Sequence, residues 1–175
     1  MDEIDLDLSQ YEPEGGFVKN QLIELFFRID VIQGEYVIIK HKPELMKQSP
    51  ENYVSVLNDI SDIAGSYGLE IILLVEGNNQ EELISSFDKI KLLDISHPFL
   101  RLGLNLCNID DLKTFFDTID YIDNVLYYRF SAESDNFKDN FKFMADKFAD
   151  TDVLLTVWSN LSSIADRVVS KKFME

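Results

Sequence analysis

Short apolar runs recur at residues 35–40, 70–75, 99–106, 125–130 and 153–158, and a segment of helical period follows each one. That alternation constrains the fold more tightly than any other feature of the chain. A strand, a helix and a second strand in succession make a parallel pair through a right-handed crossover, so repeated units build a parallel sheet. The run EIILLV at 70–75 is continuously apolar, as expected of a strand covered on both faces. Helix starts reinforce the pattern. Ser49-Pro50-Glu51 supplies an N-cap followed by proline at the first helical position. Asn78-Asn79, Asp110-Asp111 and Ser134-Asp135 open the next three helices. Asn160 is expected to cap a last one carrying Leu161, Ile164, Ala165, Val168 and Val169. Residues 82–90 also align with residues 111–119 at an offset of 29, the acid, Leu, Phe, Asp and Ile recurring in register. An offset of that size is about one strand-helix unit.

The expected fold is therefore α/β, with about five parallel strands in repeated βα units. An open doubly wound sheet is the expected arrangement, with a partial TIM-like barrel as the alternative. A complete eight-stranded barrel takes roughly 200 residues or more, and this chain has 175. Ahead of the first run, residues 20–32 are apolar on nearly all sides and read as a buried helix. Within it, residues 20–27 resemble the sliding-clamp-binding peptide. Asn20 stands where that motif has Gln, and Ile23, Phe26 and Phe27 match. A buried helix would not present such a motif.

Residues 1–16 are set apart from the α/β domain at 17–175. They hold six acids and no base, and Ile4, Leu6 and Leu8 alternate with Asp5 and Asp7. An isolated strip of this kind buries too little to offset its backbone entropy. It is expected to add as a strand to a sheet edge, either its own domain's or a partner's. Ile4, Asp5, Leu6, Asp7 and Leu8 are accordingly candidate partner contacts.

Charge narrows the partners. The chain has 32 acidic and 16 basic residues, a formal net charge of −16. Phosphate backbones and anionic lipid surfaces need clustered Lys or Arg, so neither nucleic acid nor membrane is expected as a partner. A basic protein is, and self-association would complete a partial barrel. No apolar stretch approaches the roughly 18 residues of a membrane span, and from Met1-Asp2-Glu3 no secretory signal is expected. With the single Cys107 there is no internal disulfide, and a cytoplasmic location is expected.

Familiar chemical motifs are missing. The chain lacks a G-x-x-x-x-G-K-[ST] phosphate loop, a G-x-G-x-x-G fingerprint, a G-x-S-x-G elbow, a C-x-x-C pair and any H-E-x-x-H. With two histidines, His41 and His97, neither a metal site nor a cofactor is expected. What remains is the set of residues at the carboxyl ends of the strands, where ligands bind in parallel sheets. There His41 or Glu76 is the candidate proton acceptor. Lys40, Asn105, Arg129, Trp158 and Asn160 are the candidate ligand contacts. The acidity, the amphipathic strip and the missing motifs favour a non-catalytic interaction protein, such as an accessory subunit, inhibitor or immunity-type protein. The alternative is a small enzyme or ligand-binding domain using the strand-end rim.

Overall fold

A computed structural model describes residues 2–4, 7–93, 95–119, 124–160 and 167–169. The chain divides into two compact units, one formed by residues 1–74 with 86–101 and the other by residues 75–85 with 102–175.

In the first unit β1 (Asp2–Ile4) pairs in parallel with β2 (Tyr36–Lys40), Ile4 standing opposite Ile39. On its other edge β2 pairs in parallel with β3 (Glu70–Val75), with Ile38 opposite Ile72. The helices α1 (Phe17–Val31), α2 (Pro43–Gln48) and α3 (Pro50–Ser66) supply the connections. In α3 the apolar positions Val56, Leu57, Ile60 and Ala64 fall on one face, and all are buried. In α1 only Val18, Leu22, Phe26 and Ile29 are buried. Phe17, Phe27, Val31 and Ile32 are exposed, so the expectation of a helix buried on nearly all sides is corrected to burial along one stripe. A helix laid on a sheet covers one stripe of its surface, whatever the residues on its outer face. The two aromatics at 26 and 27 thus point to opposite environments, one buried and one exposed.

The N-terminal segment docks on this same unit. Asp7 accepts a hydrogen bond from the Ser9 amide at 3.1 Å and caps a short 3-10 turn at Leu8–Gln10. Ile4, Leu8 and Tyr11 are buried. The Tyr11 hydroxyl donates to the Asp59 carboxylate on α3, and Lys19 reaches the same carboxylate at 3.4 Å. Burial and the neighbouring carboxylate both push the Tyr11 hydroxyl well above its ordinary titration range. Asp5 and Leu6 lie outside the described residues.

In the second unit β4 (Leu100–Asn105), β5 (Val125–Ser131) and β6 (Leu154–Trp158) run parallel in that order. The strand β7 (Arg167–Val169) then joins β6 antiparallel, Val168 opposite Thr156. The sequence reading assigns Val168 and Val169 to a helix, and they are strand residues instead. β-branched residues lose side-chain freedom in a helix and favour extended backbone, a preference that short helical spacing does not override. The helices α5 (Leu112–Thr118) and α6 (Phe137–Lys147) belong to this unit, while α4 (Gln80–Lys91) divides, residues 80–85 falling in the second unit and 86–91 in the first. At the start of α4, Asn79 accepts from the Glu82 amide while the Glu82 carboxylate accepts from the Asn78 amide, each at 2.9 Å. Asp111 caps α5 through the Thr114 amide. Those caps are the ones their sequence positions imply.

Strand order follows chain order in both units, with no reversal. A doubly wound sheet reverses direction at its switch point. Unidirectional winding is instead the order of a βα barrel, so the alternative of a partial barrel is the arrangement matched. The described residues contain six parallel strands plus β7, against about five expected. The additions lie where the sequence pattern is weakest, at Asp2–Ile4 and at Arg167–Val169.

Candidate functional site at the strand ends

Side chains alternate across a strand, so β5 presents Tyr128 and Phe130 to one face and Tyr127, Arg129 and Ser131 to the other. The first face carries the helices. Tyr128 stacks on Phe148 with ring centroids 4.9 Å apart and meets Phe116 of α5 edge-on at 5.5 Å, while Phe130 contacts Phe137 and Phe141 of α6. The opposite face is polar. Register places Asn105 of β4 beside Arg129 of β5, and Arg129 beside Thr156 of β6. An amide, a guanidinium and a hydroxyl thus form one row across three neighbouring strands.

Burial sharpens this row. Arg129 is only 6% exposed and Thr156 only 2%. The Arg129 Nε donates to the Tyr127 hydroxyl at 3.1 Å, and the guanidinium lies 5.8 Å from that ring's centroid. The Thr156 hydroxyl is buried and has no hydrogen-bond partner among the described residues. Leaving such a group unsatisfied costs about 1–3 kcal/mol. Asn105 is half-buried; its Nδ2 donates to Glu76 Oε1 at 3.0 Å and its Oδ1 accepts from the Cys107 amide at 3.0 Å. Glu76 is exposed at the end of β3 and is therefore held against the row from outside. The loop carrying it is tied down by Asn108, whose Nδ2 donates to the Gly77 carbonyl at 2.9 Å. Gly77 has no room for a side chain, because a Cβ there would stand 2.4 Å from the Leu83 backbone nitrogen.

The remaining rim residues distribute as follows. Trp158 is partly exposed and stands opposite Ser131, whose hydroxyl accepts from the Glu133 amide at 3.0 Å. Asn160 is exposed, and its backbone amide donates to Glu133 Oε1 at 3.1 Å, beside the Ser159 hydroxyl at 2.9 Å. Of the last helix that Asn160 is expected to cap, residues 161–166 lie outside the described residues and Val168 and Val169 are in β7. Glu76, Asn105, Arg129, Trp158 and Asn160 therefore all belong to the second unit. Lys40 and His41 belong to the first. Lys40 pairs with Glu3 of β1 at 3.7 Å, so its charge is engaged by the docked N-terminal strand. Sequence reasoning missed Thr156 and Tyr127. Thr156 sits one alternation and Tyr127 two alternations inside the carboxyl ends of their strands, and a lone Thr within LLTVW also satisfies ordinary strand preference.

His41 is a poor base for neutral pH. Its ring is 7% exposed and bonded through Nδ1 to the Tyr53 hydroxyl at 2.8 Å. Burial lowers its pKa to about 4, and burial likewise pushes Tyr53 up to about 12. The unfolded imidazole, near 6.5, binds its proton more readily than the folded one, so stability is complete above pH 6.5 and declines as pH falls toward 4. The expected loss from this group is about 2 kcal/mol by pH 5. Urea melts at pH 7 and pH 5 should show it in the wild type and not in His41→Gln. Equal pH dependence in the two proteins would assign the loss to other groups.

Comparison with known proteins bears on the fold. No protein-family model matches the chain, and no curated protein does. Solved structures do. The IolI protein with a bound zinc atom superposes with a TM-score of 0.57 at 14% identity, over 90% of this chain and 65% of that one. D-allulose 3-epimerase from Methylomonas sp. in complex with D-allulose gives 0.53 at 13%, over 86% and 59%. D-psicose 3-epimerase with D-tagatose from Clostridium cellulolyticum H10 gives 0.52 at 12%, over 85% and 58%. The chain thus spans between 58% and 65% of the length of these three proteins.

Among the described residues no group of three His, Cys, Asp or Glu side chains stands together as a metal would require. The polar row offers an amide, a guanidinium and a hydroxyl with one carboxylate beside it, and that donor set does not fit an ion like the zinc of IolI. The expectation of a non-catalytic accessory or inhibitor protein is corrected by this likeness to epimerase structures, which favours the alternative of a small enzyme or ligand-binding domain. The physical basis of that expectation also weakens, since Ile4 and Leu8 are buried against the chain's own first unit. The likeness, at these identities, establishes the fold: this chain folds as βα-barrel enzymes do over the portion it shares with them.

Proposed function

We propose that this protein binds a small, hydroxyl-rich organic molecule on the polar face of its second unit, as a ligand-binding or catalytic α/β domain. The observation that carries the reading is the row Asn105, Arg129 and Thr156, buried or half-buried on the sheet face opposite the helices. A chain optimised for stability alone fills such positions with apolar side chains, because buried charge and unsatisfied hydroxyls are costly. In this reading Asn105 and Thr156 exchange hydrogen bonds with ligand hydroxyls and Arg129 fixes the partial charge of a carbonyl or carboxylate. Glu76, joined to Asn105, is the proton acceptor in any turnover. Ketohexoses are the first compounds to test, since the structurally similar epimerases are named with D-allulose and D-tagatose. No membrane-crossing helix occurs among the described residues, and the lone free cysteine accords with a reducing, cytoplasmic compartment.

The decisive variant is Thr156→Val, which keeps the shape and removes the hydroxyl. It should raise Tm by a few degrees, reflecting about 1 kcal/mol or more of relieved burial cost. The same change should weaken ligand binding about tenfold in isothermal titration calorimetry. A panel of ketohexoses, polyols and sugar acids that gives no saturable binding to the wild type would overturn the reading.

A further inference from the structure

The first unit holds a cavity of about 620 Å³, and the described residues that line it all belong to that unit. Its walls are mainly aliphatic, from Met46 on α2 and from Leu92 and Leu93 just after α4. Leu92 is 86% exposed, an unusual cost for a large apolar side chain beside an apolar cavity. Among the described residues, two ammonium groups, Lys47 and Lys89, and one carboxylate, Glu44, make up the charged part of the lining. Neither lysine has an ion-pair partner among the described residues. In a chain of net charge −16 this is a local surplus of one positive charge, and fields at physiological salt are felt over about 8 Å.

A second, independent feature lies in the same wall. The Tyr53 hydroxyl accepts from the Lys42 amide at 3.0 Å and lies within hydrogen-bond distance of His41 Nδ1, at 2.8 Å. The other ring nitrogen, Nε2, is buried and has no hydrogen-bond partner among the described residues. His41 is a lining residue, and it is more than nine-tenths buried.

We infer that this cavity binds a monoanionic aliphatic carboxylate, its chain against Met46, Leu92 and Leu93 and its headgroup between Lys47 and Lys89. Volume, wall chemistry and charge each select that class. A cavity of this size holds a ligand of many heavy atoms. Among the described residues no Phe, Tyr or Trp side chain lines the cavity, so a flat aromatic body finds no stacking surface there. A neutral chain would leave the ammonium pair unused, and a dianion would exceed the local charge. The site is separate from the sheet-face row and does not depend on the function proposed for it.

Octanoate is the probe, titrated calorimetrically into the full chain at fixed ionic strength, with butyrate and 1-octanol as comparators. Saturable octanoate binding at least tenfold tighter than butyrate is expected, with 1-octanol weaker than octanoate. Lys47→Met with Lys89→Met should weaken octanoate tenfold or more and leave 1-octanol unchanged. Octanoate should also move the ¹⁵N resonance of His41 Nε2, which a nonspecific surface effect would not. Absence of saturable octanoate binding, or octanoate affinity unchanged in a folded double lysine variant, overturns the inference.

Discussion

Removing residues 1–14 should destabilise the protein by several kcal/mol and lower its melting temperature sharply, rather than trim a loose appendage. Three side chains in that stretch, Ile4, Leu8 and Tyr11, are 8%, 4% and 6% exposed. Full burial of side chains of this size is worth about 1.5–3 kcal/mol each. The truncation also leaves an edge of β2 unpaired and removes the hydroxyl that donates to Asp59. Against a typical total stability of about 5–15 kcal/mol, such a loss is a large fraction. With Ile4, Asp5, Leu6, Asp7 and Leu8 read from the sequence as partner contacts, the expectation is instead weaker partner binding with the fold left largely intact. Circular dichroism melts of the full and truncated chains decide between them. A shift of less than about 3 °C would mean the segment contributes little to the folded state.

The second large effect concerns Tyr128→Ala. Tyr128 is 1% exposed, stacked on Phe148 and edge-on to Phe116, and Phe116 in turn meets Phe115 and Phe143. Truncating an aromatic at such a node leaves a cavity that rigid neighbouring rings cannot close, at a cost of about 3–5 kcal/mol. Pairwise ring geometry adds about 0.5–1.5 kcal/mol per lost aromatic partner beyond area. Burial holds the Tyr128 hydroxyl above its ordinary titration range, so part of this cost is offset by removing a poorly solvated polar group. Tyr128→Phe should therefore be close to neutral. Urea denaturation of both variants provides the check, and similar midpoints for Tyr128→Ala and Tyr128→Phe would show that the ring is not a packing node.

Local signals in the sequence account for most of the elements. The apolar runs at 70–75 and 125–130 become β3 and most of β5 because their residue types suit a covered strand, and Asn79 and Asp111 cap helices because they are short acceptors at helix starts. Winding direction was not legible. It depends on which side each helix packs, and Tyr128 and Phe130 declare that side only once α5 and α6 are against them. For the candidate site, Glu76, Asn105 and Arg129 were accessible as strand-end residues. Thr156 was not, since nothing in LLTVW distinguishes a buried, unsatisfied hydroxyl from a strand-favouring one. Lys40 belongs elsewhere because Glu3 of β1 stands next to it, and a partner that distant in sequence leaves no local trace.

Winding in chain order has a consequence for how the polypeptide reaches its native state. Within each unit a parallel strand pairs with its neighbour in chain order, as Ile4 with Ile39, Ile38 with Ile72 and Arg129 with Thr156. Every pairing closes a loop of similar size, so the entropic penalty is nearly uniform and no strand waits for one synthesised much later. Such a chain can assemble vectorially, each βα unit templating the next as it leaves the ribosome.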